Sequence, residues 1–238
     1  MAYKSKYTGA EIEAKLDLVY NKYFNPVVPD EPIVPDEPVE PEPLPLGVFI
    51  QHVDGSLYTA DEWTAKGFAS ADANGVAVNT ETMSAVVAKE LASESKVLWQ
   101  PQSELVEGCY TEVSNYPTDY NGQANTAAIV AVAQDGAGYI ANQYVFPNGA
   151  KGYLPTISEL YEVCVTHITD VENAIAVIGG RKIDTGPYNS SEYWSSTQRV
   201  ATYAYKMSRG SASASFIYDV RAVSKTSNCY VRPFCPIR

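Results

Sequence analysis

The sequence predicts an α+β protein whose main body consists mostly of antiparallel strands with two or more helices, preceded by a separate helix and a proline-rich stalk. Three observations set that class. Tyr (18), Gly (15) and Pro (15) are plentiful, which favours strands and turns over long helices. Helical apolar spacing is confined to a few short windows. Between them lie short apolar runs punctuated by turn signals. A hydrophobic content of 45% is enough for a real core.

Taken in order, residues 1–24 form the first segment. TGAEIEAKLDLVYNKYF opens with Thr8 followed three positions later by Glu11, the pattern of a capping box. Ile12, Leu16, Val19, Tyr20 and Tyr23 then recur at helical spacing and make one apolar stripe. A helix this short is marginal alone in water, so the stripe calls for a partner, either the body or further copies of itself. In residues 25–46, Pro26, Pro29, Pro32, Pro35, Pro38 and Pro41 fall at every third position, and VPDEP occurs twice. That period matches polyproline II, giving a semi-rigid spacer on the order of 60–70 Å long.

Residues 47–238 make the body. GVFIQHVDGSLYTADEW reads as two short strands around an Asp54-Gly55 turn. Residues 85–93 and 156–166 read as helices, the second capped by Thr156 with Glu159. A further short helix over 174–178 stops at Gly179-Gly180. From Tyr193 onward the pattern is strand–turn–strand, with Arg209-Gly210 as the expected turn.

The net charge is −11, unevenly placed. Residues 25–46 hold six acids and no base, whereas residues 198–238 hold seven bases against the single acid Asp219. The overall sign argues against nucleic acid as a partner; with no block of consecutive bases, the C-terminal charges read as scattered solvating charges or, alternatively, as a contact for an anionic glycan. MAYKSKYTGA lacks the apolar core of a secretory signal, which predicts synthesis in the cytosol without Sec export. No apolar run reaches the ~18–20 residues of a membrane span, so no membrane insertion is expected. Four cysteines without a CxxC and two histidines predict buried thiols and neither a metal site nor a cofactor.

Catalytic constellations are not legible. Asp119, Asp135, Glu159, Glu162 and Glu192 are available as glycosidase carboxylates, yet no spacing selects a pair. His52 and His167 lack a nucleophile context such as GxSxG, and His167 at a helix end reads as a dipole partner. Glycine-rich phosphate loops are absent.

Six pieces of the body stand together in order: GVAV (75–78), NGQANTAAIV (121–130), GYLPTISELYEV (152–163), IAVIGG (175–180), YWSSTQ (193–198) and CYVRPF (229–234). Together they resemble the C-type-lectin-like domains of phage tails and of surface proteins from gut anaerobes. Those domains are related in fold to formylglycine-generating enzymes, and many are targets of diversity-generating retroelements. The resemblance covers most of residues 47–238. KYTGAEIEAKLD at the N-terminus is similar to the opening of phage tail-fibre chains.

The resemblance implies a C-type-lectin-like head that binds a bacterial surface glycan or protein without catalysis. It implies a homotrimer joined through the N-terminal helix, in a virion after cytoplasmic assembly or, alternatively, on a cell surface. It makes Trp194 core, with Ser195 and Ser196 satisfying nearby backbone groups. CYVRPF becomes the final central strand, with Arg232 in a buried or half-buried ion pair. The stretch between becomes a retroelement-diversified ligand face, with Arg199, Thr202, Tyr203, Tyr205, Ser208, Ser211, Ser213, Phe216, Tyr218 and Arg221 as contact residues. Composition agrees. Tyrosines offer wide amphipathic area with few rotors, while Ser and Ala keep the floor adaptable, as in a paratope. Ser211, Ser213 and Ser215 alternate with Ala212, Ala214 and Phe216 as in a strand with one polar face. The EPN, QPD and WND motifs of calcium-dependent lectins do not occur, so binding is expected to be calcium-independent. YPTDYNG (116–122) could hold a cation but reads as a solvated loop. VRPFCP departs from the redox motif of the related enzymes, so Cys229 and Cys235 are expected to be a structural disulfide or two thiols.

Overall fold

The computed structural model describes residues 7–23, 43–100, 104–109, 118–183, 191–212 and 215–238, with the backbone alone for 21, 209–212 and 215–218. Contacts divide the chain into two units, Met1–Pro43 and Leu44–Arg238. In the first, α1 (Gly9–Tyr23) forms as expected. Its start is held by Glu11 Oε2, which accepts from the Thr8 N–H at 2.8 Å and the Thr8 hydroxyl at 2.9 Å. Ile12, Leu16, Val19, Tyr20 and Tyr23 are all exposed. The spacer expected over 25–46 lies outside the described residues as far as 42.

The second unit is α+β, and its strands pair antiparallel in three sheets. It opens with β1 (Gly47–His52) and β2 (Leu57–Tyr58), turned at Asp54-Gly55 as the sequence predicts. Asp54 Oδ1 accepts the Ser56 N–H at 2.9 Å there. The strand expected to run on to Trp63 instead gives way to α2 (Ala60–Lys66). Thr59 and Glu62 cap each other's backbone, and Gly67 closes the helix at φ 68°. Next come β3 (Ala73–Asn79) and β4 (Ser84–Val87). The helix expected over 85–93 is therefore not formed: Ala85–Val87 is a strand between β3 and the C-terminus. Buried on both faces of the sheet, Ala85, Val86 and Val87 show no alternation that would mark them as a strand.

After β5 (Val97–Leu98) two unforeseen helices follow, α3 (Gly122–Val132) and α4 (Gly136–Gln143). They are rich in Ala, Gly and Asn and lack the stripe that marks a surface helix. α5 (Ile157–Tyr161) starts at Thr156 with the expected capping box, then loosens into a π-helical turn over Glu162–Thr166. α6 (Ile168–Val177) begins six residues earlier than expected and ends before Gly179 at φ 65°. The last part comprises β6 (Glu192–Val200), β7 (Tyr203–Ala212), β8 (Ser215–Ser224), β9 (Asn228–Cys229) and β10 (Phe234–Pro236).

The five-stranded sheet runs β10-β4-β3-β1-β2, the three-stranded sheet β6-β7-β8, and β5 pairs with β9. CYVRPF is thus not one central strand. It is split between β9 and β10, and β10 lies at the end of the large sheet with Tyr153 bridged to Phe234. Arg209-Gly210 is not a turn either: both residues stay in the ladder opposite Tyr218 and Ile217. Ten consecutive cross-strand pairs outweigh a local Gly signal.

The main core lies between the large sheet, α5, α6 and the three-stranded sheet. Ile50, Val76, Val78 and Val87 meet Ile157, Leu160, Ile175, Tyr193 and Met207 there. A second cluster gathers Trp99, Ile129, Leu154, Trp194, Ala204 and Val231 on the other side of β6 and β7. No helix among the described residues is long and apolar enough to cross a membrane.

Candidate functional site

The three-stranded sheet presents the region that the sequence singled out, and YWSSTQ anchors it. Trp194 is buried, and its indole N–H donates to the Val97 carbonyl at 2.7 Å. Trp99 reciprocates by donating to the Ser195 carbonyl at 2.7 Å. The Ser195 hydroxyl donates to the Tyr205 carbonyl at 2.7 Å, as expected of a side chain that satisfies backbone. Ser196 Oγ instead accepts from the Asn125 amide at 3.4 Å, and Thr197 Oγ1 accepts the Ile157 N–H at 3.0 Å. β6 is therefore tied to α3, α5 and β7 by hydrogen bonds from its buried hydroxyls and backbone.

Two buried cations brace the ends of this region. Lys225 Nζ lies 4.4 Å from the Trp99 ring centroid and donates to Gln198 Oε1 and the Glu104 carbonyl, both at 2.5 Å. Burial pushes its pKa down to about 8. Arg232 is buried too, but the expected ion pair is replaced by backbone acceptors among the described residues. Its guanidinium donates to the carbonyls of Ala88 (2.9 Å), Lys89 (3.0 Å), Arg181 (2.8 Å) and Lys182 (3.4 Å). A planar fork with five N–H donors suits carbonyls arriving from two segments. On the sheet surface, Glu192 pairs with Lys206 and, at 3.1 Å, with Lys96. Burial opposes its ionisation, yet these two hydrogen bonds hold its pKa below the usual carboxylate range.

The expected contact residues do not form one face. Tyr205 is only 7% exposed and belongs to the main core, and Ser208 is 8% exposed with its hydroxyl on the Asp219 carbonyl at 3.2 Å. Both leave the contact set: Tyr205 packs into the main core, and Ser208 is covered between its cross-strand neighbours Glu192 and Asp219. Tyr203 pairs with Ser224 while Arg221 pairs with Lys206, which places Tyr203 and Arg221 on opposite faces of the sheet. Arg221 is exposed and ion-paired with Asp219. Ser211 and Phe216 pair near the far end of the hairpin, roughly 25 Å along the strand from Tyr203 at ~3.3 Å per residue. For Ser211, Phe216 and Tyr218 the strand backbone is described and the side chains are not; Ser213 lies outside the described residues.

What does come together is the loop end of the sheet. Arg199 and Thr202 are exposed there, and Tyr203 is 45% exposed beside exposed Val200. Residues 104–109 run alongside: the Val106 N–H donates to Gln198 Oε1 at 3.1 Å and the Gln198 N–H to the Cys109 carbonyl at 2.8 Å. That brings exposed Leu105 to the same end. Leu105 carries no sequence signal, since its place depends on a contact 92 residues away. The Lys225 N–H donates to the Thr202 carbonyl at 3.0 Å and fixes the β6–β7 turn against the loop after β8.

The remaining candidates resolve into structure. All four cysteines are free and buried, and burial pushes each thiol up to about 12. Cys229 and Cys235 are thus two thiols and no disulfide. Asp119 accepts the Asn121 N–H and the Asn125 amide, both at 2.9 Å. His167 links the π-helical turn to α6 and lies 3.7 Å from Glu162. Among the described residues, no three or more His, Cys, Asp or Glu side chains gather as a metal site.

No protein-family model matches the chain, and no curated protein matches it in sequence. Among solved structures, a fimbrial protein from Bacteroides ovatus superposes with a TM-score of 0.53 at 12% identity, over 81% of this chain and 49% of the other. The chain therefore spans about half the length of that structure, and the likeness concerns the fold.

Proposed function

We propose that this chain is a non-enzymatic receptor-binding protein that recognises a bacterial surface glycan or protein through the loop end of its three-stranded sheet. The observation that carries the reading is the set of exposed side chains Leu105, Arg199, Val200, Thr202 and Tyr203 at one end of β6 and β7, next to the buried residues Trp194–Gln198, Ala204 and Tyr205. Exposed aromatic and Arg side chains on a rigid base are the residue types that anchor interfaces. Thiols raised to about 12 offer no ready nucleophile, in keeping with a binding role.

The sequence resemblance supports a C-type-lectin-like head on a phage or prophage tail adhesin, diversified by a retroelement and carried in the virion. The fold likeness to a fimbrial protein favours a second carrier, a host-encoded surface or pilus-like protein. Tail genes and a reverse transcriptase with a near-copy template in the flanking DNA would decide for the first; their absence beside surface-assembly genes would decide for the second. In either carrier the exposed stripe of α1 supports a homotrimer, which multiplies modest single-site affinity through effective concentration.

The test of the site is Arg199→Ala combined with Tyr203→Ala. Binding to receptor-bearing cells should fall by at least about tenfold, while the melting temperature stays within ~2 °C. Undiminished binding would remove the patch from the function.

A further inference from the structure

We propose a second binding site, for a short neutral saccharide, in the cleft between the β3–β4 turn and the N-terminal half of α3. The cleft encloses about 530 Å³, within the ~300–1,000 Å³ usual for small-molecule sites. It shares no residue with the loop-end patch and does not rest on that reading.

The lining of the cleft includes buried Tyr153 and Glu159, half-buried Tyr120, and exposed Asn121 and Gln123. Glu159 is 3% exposed. Its Oε1 accepts from the Tyr153 hydroxyl at 3.1 Å and its Oε2 from the Thr156 N–H at 2.7 Å. Those bonds fix the carboxyl; Oε1 keeps a second lone pair, while Oε2 is covered by Gly122. α3 lies close over the carboxyl because position 122 is glycine: a Cβ there would sit 2.7 Å from the Tyr153 ring and against Glu159 Oε2. Asn121 occupies the N-cap position of α3 without a side-chain capping bond, so its amide is left for other partners.

The lining selects the ligand class. It holds no Lys or Arg, so an anion would meet only a carboxyl. It holds a fixed carboxyl, two amides and two phenol rings, which together accept and donate hydrogen bonds and offer flat apolar area. Sugar hydroxyls donate to Glu159 and the amide oxygens and accept from the amide nitrogens, while a ring face lies on Tyr120. Burial raises the Glu159 pKa to about 7, so near neutrality the carboxyl both accepts and donates. The volume takes about one or two sugar rings.

Saturation-transfer NMR on the full chain, with cellobiose, maltose and chitobiose as probes and putrescine as a cationic control, tests the site. At least one disaccharide should give a saturable signal, with none from putrescine. Ala124→Trp, which fills the cleft from an exposed helix position, should abolish the signal. Gln123→Ala should weaken it about tenfold, which keeps the proposal testable if the tryptophan variant misfolds. Arg199→Ala with Tyr203→Ala should leave the signal unchanged, separating this site from the loop-end patch. Silence from all three disaccharides, a signal that survives Ala124→Trp in folded protein, or a signal from putrescine alone would overturn the proposal.

Discussion

Tyr203 and Tyr205 sit two residues apart on one face of β7 and meet opposite fates. Tyr203 stands at the turn, where the packed layers stop, whereas Tyr205 is covered by the main core. Tyr205→Ala should therefore cost about 3–5 kcal/mol, and Tyr203→Ala less than about 1 kcal/mol, as measured by urea unfolding. A reversed order would mean that the core does not reach the middle of β7. Arg232 makes the same point about chemistry. Four carbonyls from two segments depend on one guanidinium. Arg232→Lys keeps the charge but presents a single compact donor head, so at least about 2 kcal/mol of stability should be lost. A lysine variant as stable as the parent would show that charge alone suffices. Neither burial nor the partner of an arginine is written in its neighbours, which is why the sequence did not point to the backbone carbonyls that Arg232 meets among the described residues.

At the scale of elements, local signals held where the partners are close in sequence. Both caps read from sequence, Thr8 with Glu11 and Thr156 with Glu159, form as expected because each closes within one turn. The Glu159 cap brings a cost. Burial raises this carboxyl from 4.5 to about 7, so the folded protein retains a proton that the unfolded chain has released. Stability should consequently fall between pH 4.5 and pH 7, by on the order of 3 kcal/mol, and level off above. Glu159→Gln keeps an acceptor for the Thr156 N–H and removes that slope, which unfolding titrations at pH 5 and pH 7.5 would detect. An unchanged slope in the variant would place the titration elsewhere. In α3, Gly122→Ala should destabilise by about 1–3 kcal/mol, although alanine is intrinsically the better helix former by ~1 kcal/mol. The cause is the crowding of Tyr153 and Glu159 beneath the helix. Where elements depend on distant partners, local reading failed. β4 reads as helix because Ala85–Val87 carries no alternation. Its strand state comes from Val76–Val78 on one side and Phe234–Pro236 on the other.

For the molecule as a whole, the stripe of α1 is the feature most exposed to test. Leu16→Glu with Val19→Glu leaves both capping residues in place and charges the stripe, so light scattering on the full chain should shift to a monomer. A variant that keeps the parent's mass would disprove assembly through α1. The class of the fold, α+β with antiparallel strands and an N-terminal helix, was legible because composition, turn residues and capping boxes report on the backbone nearby. The sequence by itself pointed to the framework at YWSSTQ only through the family resemblance, and the outcome is partial: Trp194 is buried and the Ser195 hydroxyl reaches a backbone carbonyl, whereas Ser196 meets the Asn125 amide. It could not determine which residues of 198–221 share a face, since a strand alternates its side chains and a ladder sets which positions meet. Only the tertiary structure decided that Tyr205 and Ser208 are interior, that Arg221 lies across the sheet from Tyr203, and that Leu105 joins Arg199 and Tyr203 at the loop end. The reason is physical: burial and neighbourhood are properties of packed layers, fixed by contacts between segments a hundred residues apart that no local pattern encodes.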